Sequence, residues 1–236
     1  MSQQPTRIPE ELAGRLWTVV PAYNESIRIG EALEGLLEVG GNVVVVDDGS
    51  SDGTAAEALR RPIWVIQHPM NLGQGAALQS GICFALKQGA EYIVTFDADG
   101  QHNPGDIGRL VESLILHHAD YALGSRFLGT APGIPWTRWL LLRLAVVLTR
   151  VMSGISVTDT HNGIRAMTRR GAEQIRITLD GMEHASEILE QIAASGLRLV
   201  EVPVQIRYSA GSLAKGQKGS GAFRLAAKLL VERIRQ

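Results

Sequence analysis

Residues 42–59 read "NVVVVDDGSSDGTAAEAL". The four valines make a β-rich run that ends on Asp47 and Asp48. Gly49 then permits a tight turn, and Ser50 to Asp52 are the residue types that cap a helix, which the alanines after them continue. A strand closed by acids, a glycine turn and a helix make one βα unit.

The same alternation extends on both sides. Strands are expected at about 16–21, 42–47, 62–67, 91–96 and 119–123, with helices at about 25–38, 52–60, 73–88 and 104–117. This is the pattern of an α/β fold, a mostly parallel sheet flanked by helices. Ligands of such sheets bind at the carboxyl ends of the strands, and here those ends are polar and acidic. Beyond them lie an amphipathic helix, a loop "VTDTHNGIRAM", a helix near 183–195, a strand "LRLVEVPVQI" and a glycine-rich basic tail. With no linker between the parts, one domain over residues 1–236 is expected, with a nucleotide half at 16–124 and an acceptor half at 125–236.

Lys and Arg number 23 against 24 Asp and Glu, a formal net charge of −1, which argues against nucleic acid as a partner. Cys83, the one cysteine, sits among apolar residues in "SGICFAL" and reads as a buried thiol of a reducing compartment, without a catalytic role. The N-terminus lacks the apolar segment of a secretory signal, so a cytoplasmic location is expected. Arg138, Arg143 and Arg150 interrupt the apolar stretch at 136–155 too often for a bilayer span. A helix lying in a membrane interface and an ordinary core-facing helix account for it equally well. The tail carries Lys215, Lys218, Arg224, Lys228, Arg233 and Arg235, which suits either peripheral contact with an anionic membrane face or a solvated helix face.

Three strand ends carry the chemistry. "PAYNES" at 21–26 offers Asn24 or Ser26 as a helix cap, with Glu25 in the first turn. "DDGSSDGT" has more acid than a cap needs, and the surplus suits acceptors for the base or ribose of a nucleotide. In "YIVTFDADGQHNP", residues 92–104, Asp97 and Asp99 can converge on one point once the chain turns. Two carboxylates that close repel each other unless a cation lies between them, and oxygen ligands select Mg²⁺ or Mn²⁺, which also takes substrate phosphate oxygens. Gln101 and His102 stand near enough to complete the shell, the Gln101 amide oxygen being the better candidate. An isolated D-x-D is also a common polar turn, and the acids at the two earlier strand ends set this one apart.

"VVPAYNE", "VVVDDGSSDGT", "HPMNLGQGAALQSGI", "DADGQH" and "LGSRF", in this order, resemble the nucleotide-sugar domain of the family 2 glycosyltransferases, which have the GT-A fold. Within the family the likeness is greatest to dolichyl- or polyprenyl-phosphate mannose and glucose synthases and covers roughly residues 16–215. The resemblance implies that Pro21, Tyr23, Glu25, Asp47, Asp48, Gly75 and Ala98 meet the nucleotide-sugar. It makes Asp97, Asp99 and Gln101 the ligands of Mg²⁺ or Mn²⁺, and Asp97, Asp99, Arg126 and Glu187 the catalytic set. Arg126 and Arg138 resemble phosphate-gripping arginines, and Asp159, Asn162, Gly163 and Arg165 match the family's acceptor-side "D-x-x-x-G-x-R" segment. Arg207 and Lys215 stand near the place of a basic motif seen in phosphate-acceptor relatives, with Ser209 at its arginine.

The implied reaction is metal-dependent, inverting transfer from a UDP- or GDP-sugar to a polyprenyl- or dolichyl-phosphate lipid. Ala185 stands where some relatives place an aspartate base, and an ionised phosphate acceptor needs no strong base. The alternatives are transfer to a saccharide hydroxyl of a cell-surface glycan, with Glu183 or Glu187 as base, a sugar nucleotidyltransferase, and a non-enzymatic binding module. A nucleotidyltransferase is expected to carry "G-x-G-x-R" where this chain has "PAYNES".

Overall fold

Side chains alternate faces along a strand, and here that alternation sorts the core into two layers. The structure, a computed structural model, describes residues 8–160, 162–181 and 183–208. Its strands are β1 (Leu16–Ala22), β2 (Asn42–Asp47), β3 (Trp64–Gln67), β4 (Tyr92–Thr95), β5 (Tyr121–Thr130), β6 (Arg165–Thr168) and β7 (Leu199–Gln205). The helices are α1 (Glu10–Ala13), α2 (Ile29–Val39), α3 (Thr54–Ala58), α4 (Gln74–Lys87), α5 (Asp106–Leu116), α6 (Trp136–Ser153), α7 (Arg169–Gln174) and α8 (His184–Ser195). The sheet order is β3-β2-β1-β4-β6-β5-β7. Leu16, Val20, Val43, Val45 and Val94 face a core built with α2 and α5, whereas Trp17, Val19, Val44 and Ile93 face α4 and α8.

β1, β2, β3 and β4 pair in parallel, as do β5 and β7, so the expected α/β class holds. The segment expected as an acceptor loop departs from the reading. Arg165–Thr168 of it is a strand, inserted antiparallel between β4 and β5. Its sequence, "RAMT", holds one β-branched residue, where the equally short β3 and β4 are rich in β-formers. The β4–β6 register pairs Thr95 with Arg165, and continuing it two residues sets Gly163 opposite Asp97.

Three local readings are corrected. Helix α2 begins at Ile29 behind Arg28 with no side-chain cap, because Asn24 and Ser26 bond elsewhere. Cys83 is exposed, pointing away from the sheet, and its sulfur accepts from Gln79 Nε2 at 3.1 Å. The short helices α1 and α7 were not expected. Among the described residues no helix is long and apolar enough to cross a membrane. Lys215 and the rest of the basic tail lie outside the described residues, as does the Arg138 side chain.

Helix α4 lies close on the sheet because residue 81 is glycine. A Cβ there would stand 2.3 Å from Val19 Cγ1 and 3.1 Å from Val46 Cγ2. In an exposed helix, alanine would be preferred over glycine by about 0.5–1 kcal/mol. Overpacking of about 1–3 kcal/mol outweighs that here. Gly81→Ala is therefore expected to lower stability, read as a lower urea midpoint with unchanged slope; a raised midpoint would contradict the packing.

Candidate active site

The ends of β1 and β2 are stitched together by their own polar residues. Asn24 takes a left-handed conformation, φ 53°, which asparagine tolerates better than most residues. Its N–H donates to Ser50 Oγ at 2.9 Å, and its Oδ1 accepts from Ser51 N at 3.0 Å. Glu25 N donates to Thr54 Oγ1 and Ser26 N to Asp52 Oδ2. Asp52 also accepts from the N–H and hydroxyl of Thr54. Burial works against its charge, but the hydrogen bonds from Thr54 and Ser26 outweigh that and bring the carboxyl to about 2, below the ordinary 3.8. Pro21 is buried within β1, and Tyr23 stands half exposed beyond its end.

Asp47 and Asp48 are both buried. Asp47 Oδ1 accepts from Ser50 N at 3.2 Å. Asp48 takes Leu72 N and His68 Nδ1 on Oδ1 and Gly73 N on Oδ2, at 2.7–2.9 Å, while His68 Nε2 meets Ser80 Oγ at 3.0 Å. Three donors on one carboxylate make Asp48 the organiser of the 68–73 loop. That loop ends on Gly73, φ 101°, where α4 begins. A Cβ at Gly75 would stand 2.0 Å from Leu179 O, and Gly75 N donates to Asp180 O at 2.9 Å. The close approach that Gly75 allows is thus to the chain's own 179–180 segment.

The same segment is held from its other side. Glu187 accepts from Thr178 N and Leu179 N at 3.0 Å and from the Thr178 hydroxyl. His184 Nδ1 donates to Gly181 O at 2.6 Å. Glu187 therefore buttresses a loop in this structure, with its carboxylate filled by three donors.

Asp97 follows β4 on the α4 side of the sheet, against Gly163; a Cβ on Gly163 would come within 1.8 Å of Asp97 Oδ2. Gln74 Nε2 donates to Asp97 Oδ1 at 3.0 Å, and His102 Nε2 lies 3.4 Å from Oδ2. Burial pushes the Asp97 carboxyl up, but His102 together with Arg165 and His184 more than offsets it and holds it below the ordinary range. Asp99 moves the other way, raised by burial and by the charge of Asp97. Its partners are local, Gln101 N at 3.0 Å and the Gln101 side-chain amide. Gln101 presents its amide nitrogen to Asp99, so offering an oxygen to an ion requires the amide to turn over. Ala98, between the two acids, is buried in the core. A pair of half-buried carboxylates, one of them made proton-prone by the other, is a donor set that a hard divalent cation fits.

Arg126 is buried rather than free at the rim. Its Nε donates to Asp159 Oδ2 at 2.6 Å and its Nη1 to the Tyr208 hydroxyl at 2.6 Å. Asn162 donates to the same Asp159 oxygen at 3.4 Å, so the expected acceptor segment is folded around an internal ion pair. Arg165 is buried beside Asp97, and Arg207 is exposed, its N–H bonded to Gln101 O. Gln74 and Thr95 escaped the sequence reading; the signal for Gln74 was its place between the two glycines that open α4.

A mixed sheet with three acidic strand ends on one rim, the last carrying a D-x-D pair, defines a GT-A glycosyltransferase. The model of "Glycosyl transferase family 2" matches residues 17–176, and the chain belongs to that family. Two relatives are the UDP-N-acetylglucosamine–dolichyl-phosphate N-acetylglucosaminyltransferase of Methanococcus voltae and the polyprenol monophosphomannose synthase of Mycolicibacterium smegmatis. The first is 30% identical over 92% of this chain and 95% of the relative, the second 32% over 80% and 76%. A crystal structure of Mycobacterium tuberculosis glucosyl-3-phosphoglycerate synthase, in complex with Mn²⁺ and UDP-glucose, shares the fold. Its TM-score is 0.70 at 19% identity, over 94% of this chain and 81% of that one.

Two outcomes are expected. Gly163→Ala displaces the Asp97 carboxylate and should cut transfer at least about 100-fold while near-ultraviolet dichroism keeps its native form; full activity would show that Asp97 is not held where it is needed. Asp52 contributes stability above about pH 4 that fades as pH falls toward 2, and its exposure keeps this below about 1 kcal/mol. The urea midpoints of wild type and Asp52→Asn should differ at pH 6 and converge between pH 4 and 2.

Proposed function

We propose that this glycosyltransferase moves a sugar from a nucleotide-diphospho-sugar to a polyprenyl- or dolichyl-type lipid phosphate, with inversion at the anomeric carbon. The observation that carries the donor half is the pairing of Asp97, seated and held ionised, with Asp99, whose partners belong to its own turn and are easily exchanged. Asp97 and Asp99, with Gln101 after rotation of its amide, are the residues that would hold Mg²⁺ or Mn²⁺. Bound there, the ion would supply charge neutralisation for the departing nucleoside diphosphate. The stitched 23–26 and 47–54 loops form the floor for the nucleotide, with Tyr23 and Glu25 at its edge.

Two observations favour a lipid phosphate as acceptor. Glu187, one of the two carboxylates the sequence offers as a base, already accepts three hydrogen bonds, and an ionised phosphate needs no base. Helix α6 also turns an apolar stripe outward, with Trp136, Trp139, Leu140, Leu144 and Val147 all exposed. The Arg143 guanidinium lies 4.6 Å from the Phe127 ring and 5.3 Å from that of Trp139. Such a face suits the membrane interface where a lipid acceptor resides. The names of the relatives point the same way.

Asp99→Ala should abolish transfer; turnover retained in saturating Mn²⁺ would remove the metal reading. Wild-type enzyme offered polyprenyl phosphate in anionic vesicles, and separately saccharide acceptors, should glycosylate only the former.

A further inference from the structure

Asp97 is gripped by groups from separate parts of the chain. Behind it stands Gly163, where a Cβ would come within 1.8 Å of Oδ2. Its Oδ1 accepts from Gln74 Nε2 at 3.0 Å, and its Oδ2 meets His102 Nε2 at 3.4 Å. An ionised carboxylate can only accept, so the proton of each contact lies on nitrogen. Each oxygen keeps a further lone pair, and 26% of the side chain is exposed to use it.

His102 is the anomaly. Its side chain is 6% exposed, and its Nδ1 is buried with no hydrogen-bond partner among the described residues. Burying an unpaired polar atom costs stability. A phenylalanine would fill the same space against Phe96, whose ring centroid lies 5.6 Å away, without that cost. The ring is also fixed in place, because the His102 backbone bridges to Ile206 and Arg207 N donates to Gln101 O at 2.9 Å. What a histidine supplies here and a hydrocarbon cannot is the Nε2–H on Asp97. Its place beside Gln101 made His102 a candidate for the shell of an ion; burial turns it toward Asp97 instead.

Gln74 is placed by the loop before it. Asp48 accepts from Leu72 N at 2.9 Å and Gly73 N at 2.8 Å and takes His68 Nδ1 at 2.7 Å, which sets where α4 begins. The carboxylate that organises the 68–73 loop therefore aims the amide that holds Asp97.

We propose that His102 and Gln74 are positioning residues, clamping Asp97 in one orientation before a divalent cation binds, while Asp99 adapts. This rests on the metal reading given above. A ligand oriented in advance by hydrogen bonds binds metal more tightly than one that must be ordered on binding.

The test compares wild type with His102→Phe, His102→Gln and Gln74→Met. Mn²⁺ affinity is measured by calorimetry on protein with UDP or GDP present, and metal-free stability by urea unfolding. His102→Phe keeps a ring and removes the donor. It should unfold at a midpoint equal to or above that of wild type, yet bind Mn²⁺ at least about tenfold more weakly. His102→Gln, whose amide nitrogen can take the place of Nε2, should return the affinity to within about threefold of wild type. Gln74→Met should weaken Mn²⁺ binding about tenfold, and it decides the matter if His102→Phe does not fold. Unchanged Mn²⁺ affinity in either donor-less variant would remove that residue from the clamp and leave the metal reading intact. So would a loss in His102→Phe that follows a lowered urea midpoint and that His102→Gln does not repair. Wild type that binds no Mn²⁺ with either nucleoside diphosphate would remove both.

Discussion

The carboxylate of Asp97 has its place because residue 163 has no side chain. With 1.8 Å between Asp97 Oδ2 and any Cβ at that position, the antiparallel pairing of β6 on β4 and the seating of the acid are one constraint. The pairing brings the "DTHNGIR" segment, distant in sequence, onto the same rim as the D-x-D turn. It also sets Arg165 beside Asp97, which helps keep that acid ionised despite its burial. A purely parallel sheet would have sent this segment across the helices and left the rim with carboxylates alone.

The acids of the rim divide by the donors they already hold. Asp48, Asp52 and Glu187 each receive three hydrogen bonds from the chain, mostly backbone N–H groups of turns that would otherwise be unsatisfied. Such bonds to an ionised acceptor are worth about 1.5–3 kcal/mol each, enough to decide a loop conformation but spread over several loops. Asp99 differs in that both of its donors come from Gln101, two residues on. A carboxylate bound only by its own turn can exchange partners without disturbing another element, whereas Asp48 cannot release Leu72 and Gly73 without freeing the start of α4.

Legibility in the sequence followed residue type and period. The parallel strands were readable from runs of β-forming residues such as "NVVVVD", and the long helices from their period, as in residues 106–116. The strand Arg165–Thr168 was not, since "RAMT" holds one β-branched residue and its place depends on β4 and β5. Asp97, Asp99 and the loop acids stood out by charge at strand ends. What charge could not reveal is the use of each one. Asp48 and Glu187 look like Asp99 in a sequence, and only the backbone donors around them separate a loop organiser from a carboxylate bound by its own turn alone. Cys83 was misread for a related reason: its neighbours are apolar, but it projects from the outer face of α4.

Arg126 and Arg165 show the same difference between like residues. Both are buried arginines near the rim, 7% and 5% exposed. Arg126 meets Asp159 and Tyr208, and the carboxylate next to it more than offsets the burial that opposes its charge. Arg165 has no such contact, and burial wins, lowering its hold on the proton even with Asp97 nearby. An ion pair replaced by packing is often neutral for stability, so Arg126 with Asp159 can be explained as the lock on a loop. Arg165 acts through space instead: its Nε ties it to Asn162 O, and its charge helps hold Asp97 below the ordinary carboxylate range across the β4–β6 pairing.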